Sequence, residues 1–483
     1  MKTELVIIPA PGLSHLASTV EAAKLLLQRD CRLAITFLIM KFPNDNIVDS
    51  YTQKLASDPD SASFRMINLP NQEVAPSETF LSDIIDTQIS NVRNTLSELL
   101  RQQSSARLAG IMVDMFCTRF VDVADEFGLP SYIFFTSSAS AFGLFSHLTS
   151  LRFEHNQDLT QYEKSDVELS VPCISVKVPA KVLPLVMVVE GPLTEGIFDC
   201  FRRFGRFKGV LINTFYELEP YAIQSLSNGK SPKVYPIGPV LNLTHQVGSS
   251  KIQSGDGGEI MKWLDFQPES SVVFLCFGSR GTFEVPQVKE IAAALERSGH
   301  RFLWSLRKPP PPVKGRPMPT DYEDFDGVLP EGFLERTKGR GKLIGWAPQM
   351  EVLSHPAVGG FVSHCGWNST LESVWSGVPM ATLPLSAEQQ LNAFQLVKEF
   401  RMAEAIRVDY MKDYRMGAGA EAEVVGSEEI EAAIRRLMEA EGSGGVREKV
   451  RRMHKESRLA LEEGGSSYNA QISFIEDVIK NVD

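Results

Sequence analysis

Residues 346–389 read WAPQMEVLSHPAVGGFVSHCGWNSTLESVWSGVPMATLPLSAEQ, and the middle of that run decides the fold. Residues 360–363 form a short apolar stretch that reads as a buried strand. His364, Cys365 and Gly366 make a turn, and Asn368, Ser369 and Thr370 open a helix predicted over 368–375. A strand passing through a glycine-containing turn into a helix is half of a βαβ unit, so a parallel sheet is expected. Outward from this point the alternation repeats. Strands at 272–277, 302–306 and 359–363, with a helix at 286–298, make one series. Strands at 5–8, 33–39, 108–113 and 131–135 make another, with helices at 18–28 and 119–127; Val20, Ala23 and Leu27 share one face of the first helix. Residues 241–258, polar, rich in Gly and Ser and without a hydrophobic period, read as the linker. A chain of 483 residues is also too long for one core. The fold class is therefore α/β, with two doubly wound Rossmann-like domains facing each other across a cleft. They are expected at 1–240 and 259–455, with a helical segment at 456–483 packing back on the first. Such sheets bind ligands beyond the carboxyl ends of their strands.

The composition is 43% hydrophobic and 23% charged, and the net charge of −11 argues against nucleic-acid binding, which needs a basic face. Cys31, Cys117, Cys173, Cys200, Cys276 and Cys365 are scattered without a CxxC and read as reduced, buried thiols of a cytosolic protein. Residues 1–12 are too short and too broken by proline for a signal peptide. No stretch reaches the roughly 18 apolar residues of a membrane helix. A cytoplasmic monomer without an integral membrane segment is expected, in which the sequons at Asn242 and Asn368 stay unmodified. Residues 308–327, proline-rich, and 416–422, rich in Gly and Ala, read as loops, either plain insertions or gates over the cleft.

The quoted run carries the parts a nucleotide sugar needs. A helix N-terminus after a glycine turn offers free N–H groups and the positive end of a dipole to a pyrophosphate. Glu372, early in that helix, can face a ribose diol. Trp346 ends a separate apolar segment, where an indole can stack on a base for ~1–3 kcal/mol. Glu388 and Gln389 supply adjacent carboxylate and amide groups for sugar hydroxyls. Taken singly, each has an ordinary structural reading: a packing tryptophan, an N-cap, a satisfied histidine. Order and spacing together make the case.

The run closely resembles the 44-residue signature of plant secondary-product glycosyltransferases, the family 1 UDP-glycosyltransferases of the GT-B fold. The resemblance spans nearly the whole chain, from residues 9–15 (PAPGLSH) through 263–265 (WLD), 277–279 (FGS) and 464–467 (GGSS). It implies that Trp346 stacks on uracil beside Ala347, and that Gln349 and Glu372 bind the ribose. His364, Gly366, Asn368, Ser369 and Ser279 would hold the phosphates, and Trp367, Glu388 and Gln389 the sugar. A signature ending in Gln implies glucose, so UDP-glucose is the expected co-substrate, with no separate cofactor. The chain departs from the family at Leu383, where Trp is usual, and at Ser386, where Tyr is usual. Both are expected beside Glu388, leaving extra volume where sugar and acceptor meet.

His15 follows the first strand and a Pro-Gly turn, and Asp114 follows the strand at 111–113. In a parallel sheet two such strand ends can meet, and an Asp on one imidazole nitrogen fixes the tautomer and supports the imidazolium. The other nitrogen can then deprotonate an acceptor hydroxyl. The resemblance assigns these two residues as the catalytic pair of an inverting enzyme. Asp58 with Asp60, and Asp324 with Asp326, match the Asp-x-Asp motif of metal-dependent sugar transferases. They lie in polar loops and read as solvated acids, so no metal site is expected. A nicotinamide oxidoreductase would need a GxGxxG turn, which is absent. A UDP-glucuronosyl transferase, with Arg280 meeting the sugar carboxylate, and a non-catalytic UDP-sugar-binding protein remain as alternatives. The acceptor pocket is expected in the first half, where Phe116, Phe120, Phe142, Phe145, Leu183 and Leu185 suit a small hydrophobe such as a flavonoid, another phenolic or a terpenoid, although several can equally be core.

Overall fold

Alternating burial builds two parallel sheets, each covered on both faces. The computed structural model describes residues 2–43, 45–57, 64–75, 77, 79–102, 106–228, 232–243, 256–311, 318–412, 423–439 and 445–482. Most of the 241–258 linker, all of the loop at 416–422, and Asp58 and Asp60 lie outside them.

The first sheet comprises β1 (Lys2–Ile8), β2 (Leu33–Ile39), β3 (Phe64–Asn68), β4 (Ala106–Asp114), β5 (Ser131–Phe135), β6 (Gly209–Ile212) and β7 (Lys233–Pro236), in the order β3-β2-β1-β4-β5-β6-β7. The second comprises β8 (Val272–Cys276), β9 (Arg301–Ser305), β10 (Gly341–Ile344), β11 (Val358–Ser363), β12 (Met380–Thr382) and β13 (Ala403–Ala405), in the order β10-β9-β8-β11-β12-β13. Within each, all pairings are parallel. Period-two burial explains the two covered faces. In β1, Leu5 and Ile7 enter one core and Val6 and Ile8 the other. In β8, Val272 and Phe274 divide in the same way from Val273 and Leu275.

Strand order reverses between β1 and β4 in the first sheet and between β8 and β11 in the second, and loops leaving neighbouring strands part at such points. Ile8 pairs with Val113, so the residues just beyond β1 adjoin Asp114. Cys276 pairs with Ser363, so the turn after β8 adjoins His364.

Helix α1 (Leu13–Arg29) follows β1 and α2 (Ala139–Phe153) follows β5. Helices α3 (Trp367–Ser376) and α4 (Gln389–Phe394) follow β11 and β12. Helix α5 (Val446–Leu459) runs through residue 455 unbroken and packs on α3. Helix α6 (Ser466–Ile479) lies on the first sheet, where Phe474, Ile475 and Val478 join the core of Leu5 and Ile7. Phe215, Leu218 and Leu241 pack in the second domain's core.

Two expectations are corrected. All six cysteines are free, but Cys31 is exposed and Cys200 only half-buried; Cys31 sits in the charged turn before β2, not within its apolar run. Helix α1 starts at Leu13, five residues before its periodic stretch. His15 is therefore on the first turn of a helix and not in a loop. Gly12, with φ 109°, turns the chain into it, and a Cβ there would meet the Phe42 ring at 3.2 Å.

Candidate active site

On the first-domain side, His15 Nδ1 lies 2.7 Å from Asp114 Oδ2. The Asp114 side chain is fully buried while that of His15 is 26% exposed. Asp114 Oδ1 accepts the Phe116 N–H at 3.0 Å, which leaves Oδ2 to the histidine. A carboxylate only accepts, so Nδ1 carries the proton and Nε2 keeps its lone pair. Phe116 packs against the imidazole at 5.4 Å, and Thr19 Oγ holds the His15 carbonyl at 2.7 Å. Burial works against a charged imidazole, but the charge and hydrogen bond of Asp114 outweigh it, with a further pull from Glu388. The His15 pKa is raised above its ordinary 6.5.

On the second-domain side, His364 ends β11 between two glycines. A Cβ on Gly278 would come within 2.7 Å of its Nε2, and one on Gly366 within 2.6 Å. Gly278, with φ 74°, and Cys365, with φ 61°, are both left-handed, whereas Gly366 has φ −59°. Burial pushes the His364 pKa down to about 4, leaving the ring neutral at physiological pH. Its Nδ1 has no partner among the described residues. Helix α3 then opens from Gly366 with no side-chain cap, so its first-turn N–H groups are available to an anion. Ser279 is exposed in the turn after Gly278.

Gln349 Nε2 donates to Ser369 Oγ at 2.8 Å and to Glu372 Oε2 at 2.6 Å. Burial raises the Glu372 carboxyl to about 7, against the smaller opposite effect of that hydrogen bond. Trp346, beyond β10, is half-buried beside the buried Ala347.

Three side chains of this half reach across the cleft. Asn368 Nδ2 donates to Ser18 Oγ at 3.3 Å, one turn along α1 from His15. Glu388 Oε1 accepts from Ser137 Oγ at 3.0 Å. Trp367 Nε1 donates to the Asn213 carbonyl at 2.6 Å. The dyad, the uncapped helix and the acidic loop thus share one cleft, which can remove a proton and hold an anion.

Several expectations change. The Trp367 indole is 3% exposed and its N–H is taken by the Asn213 carbonyl, so its side chain has no free polar group to offer a sugar. Gln389 Oε1 accepts from the Leu385 and Ser386 N–H groups at 2.9 and 3.0 Å, leaving only its amide N–H₂ free to donate. Leu383 is fully buried in the core with Val362 and Ala381 and walls no pocket. Ser386 is exposed on the loop. Phe120, Phe142, Phe145, Leu183 and Leu185 are core residues, since α2 is buried nearly all round; only Phe116 is half-buried at the dyad. Asp324 and Asp326 form an exposed turn in which Asp324 caps the Asp326 N–H. Ser18, Ser137 and Asn213 had no local signal, because their partners are 350, 251 and 154 residues away. Gly278 was legible as a turn glycine, but not as the wall of His364.

Residues 225–424 match the family model described as UDP-glucoronosyl and UDP-glucosyl transferase. UDP-glucose flavonoid 3-O-glucosyltransferase 6 of Fragaria ananassa is 50% identical, over 99% of this chain and 98% of its own. A transferase from Siraitia grosvenorii, solved with UDP, is 45% identical with a TM-score of 0.88, over 99% of this chain and 100% of its own. UGT71G1 of Medicago truncatula, solved with UDP-glucose, is 39% identical with a TM-score of 0.86, over 99% and 98% of the two chains.

Proposed function

The chain belongs to the UDP-glucuronosyl and UDP-glucosyl transferase family and is a UDP-glycosyltransferase, and from that premise we propose that it moves glucose from UDP-glucose to a hydroxyl of a flavonoid, another phenolic or a terpenoid, with inversion. The observation that carries this is the His15–Asp114 hydrogen bond of 2.7 Å on the helix whose Ser18 meets Asn368 of α3. It sets a general base beside an uncapped helix N-terminus.

His15 Nε2 takes the acceptor hydroxyl proton as the imidazolium forms against Asp114. The oxygen attacks the anomeric carbon from the face opposite UDP, the bond to the β-phosphate oxygen breaks, and the α-linked donor gives a β-glycoside. The departing charge is met by the first N–H groups of α3, with Ser279, His364, Gly366, Asn368 and Ser369 around it. Trp346 and Ala347 take the uracil, Gln349 and Glu372 the ribose. Glu388, the Gln389 amide N–H₂ and the Trp367 backbone N–H take the sugar. UDP-glucose is co-substrate and no separate cofactor has a role. The reading includes a cytosolic monomer, and the six free thiols accord with a reducing compartment; among the described residues no helix is long and apolar enough to cross a membrane.

The test is an acceptor panel with UDP-glucose, UDP-galactose and UDP-glucuronate, read by mass spectrometry, with proton NMR of the anomeric centre. A β-glucoside of a phenolic or terpenoid is expected. Transfer from UDP-glucuronate alone, or an α-glycoside, would overturn the reading.

A further inference from the structure

The loop that presents Glu388 is tied down on both sides of that residue. Glu388 is the N-cap residue of α4, preceded by Ala387 at φ 58°, a left-handed conformation that alanine adopts only when its surroundings impose it. Gln389 ties the loop by accepting from the Leu385 and Ser386 N–H groups. What remains is the orientation of the Glu388 carboxylate, and this is supplied from the other domain.

Ser137 lies between β5 and α2, 5% exposed, and donates to Glu388 Oε1 at 3.0 Å. The next residue, Ser138, caps α2 through the Ala141 N–H at 3.0 Å, so the backbone behind Ser137 is anchored as well. With Oε1 engaged, one orientation of the carboxylate is favoured, and with it one direction for Oε2. A fixed single acceptor distinguishes an equatorial from an axial hydroxyl, because only one of them reaches it; a freely turning carboxylate follows either.

We infer that Ser137 is a positioning residue that sets donor selectivity, aiming Glu388 so that Oε2 selects the sugar by the configuration of the hydroxyl it meets. This rests on Glu388 being a sugar ligand, as proposed above.

The experiment compares kcat/KM for UDP-glucose and its C4 epimer UDP-galactose in the wild type, Ser137→Ala, Ser137→Thr and Glu388→Gln, with UDP Kd by calorimetry. Ser137→Ala is expected to cut the preference between epimers by about tenfold, the scale of one lost oriented hydrogen bond to a charge. UDP affinity should stay within about twofold, and Ser137→Thr, which keeps the hydroxyl, should restore the preference. In Ser137→Ala/Glu388→Gln the two effects should not add. If Glu388→Gln erases the preference while Ser137→Ala keeps it, the role of Ser137 is refuted and Glu388 stands as sugar ligand. If Glu388→Gln also keeps it, both fall. Equal losses in UDP affinity and turnover in Ser137→Ala would mean a merely structural serine, which likewise overturns the inference.

Discussion

His15 and Asp114 sit 99 positions apart in the chain and 2.7 Å apart in space, and the pH dependence of the reaction should follow from that bond. The base works only when neutral. Because Asp114 lifts its pKa above 6.5, kcat/KM should fall as pH drops through a midpoint above that value. Asp114→Asn should move the midpoint down. His15→Ala should cost at least ~100-fold in kcat with UDP affinity nearly unchanged, and retention of more than about a tenth of the wild-type rate would remove His15 from its role. Glu372 gives a second profile. Its free carboxyl titrates near 7, and the ribose diol donates to the ionised form. If Glu372 holds the ribose diol as proposed, UDP-glucose affinity should rise about tenfold between roughly pH 6 and 8 as the carboxyl ionises, and Glu372→Gln should flatten that rise in calorimetry. His364, at about 4, stays neutral throughout and adds no slope. Glu372 and His364 stand out in the sequence because they sit in one dense run, whereas His15 and Asp114 were singled out by the family resemblance. Ser137 and Asn213 were not, since an ordinary serine and asparagine acquire meaning only from partners on the other domain.

Among the elements, the strands were the most legible, as continuous apolar runs bounded by turns; β5 begins and ends where its sequence predicts. Helix starts were less so. Helix α1 gains Leu13, Ser14 and His15 because Leu16 and Ala17 are buried behind them and Gly12 supplies the entry, whereas Ser14 and His15 face the cleft and break the apolar period. Helix α6 ties the end of the chain to the first sheet. Phe474 is fully buried and meets the edges of Tyr132 and Tyr235 at 5.1 and 5.4 Å. Asp477 accepts from Lys233 and Tyr235. Phe474→Ala should destabilise the first domain by ~3–5 kcal/mol, seen as a lower melting temperature with ligand chemistry at the cleft unaltered below it. A loss under about 1 kcal/mol would mean that the helix is not part of that core.

At the scale of the molecule, two sheets with matching switch points set their strand ends toward one cleft, and side-chain hydrogen bonds such as Asn368–Ser18 and Ser137–Glu388 span it. That two-domain plan was legible from alternation alone; the cross-cleft contacts were not, because no local pattern encodes the distance between two sheets. The dianionic donor meets a protein of net charge −11, so its phosphates depend on local N–H groups. If the helix terminus of α3 suffices for them, transfer should survive exhaustive EDTA treatment, and a strict need for added magnesium or manganese would refute this account. The return of α6 has an evolutionary consequence. The chain passes from the first domain to the second between β7 and β8 and back again between Leu459 and Ser466, so the first domain is not one contiguous stretch. A hybrid of two relatives joined only at the first passage would lay one parent's terminal helix on the other's sheet and mismatch the pocket that receives Phe474. The first domain is therefore encoded by two separated stretches, one for β1 to β7 and one for α6.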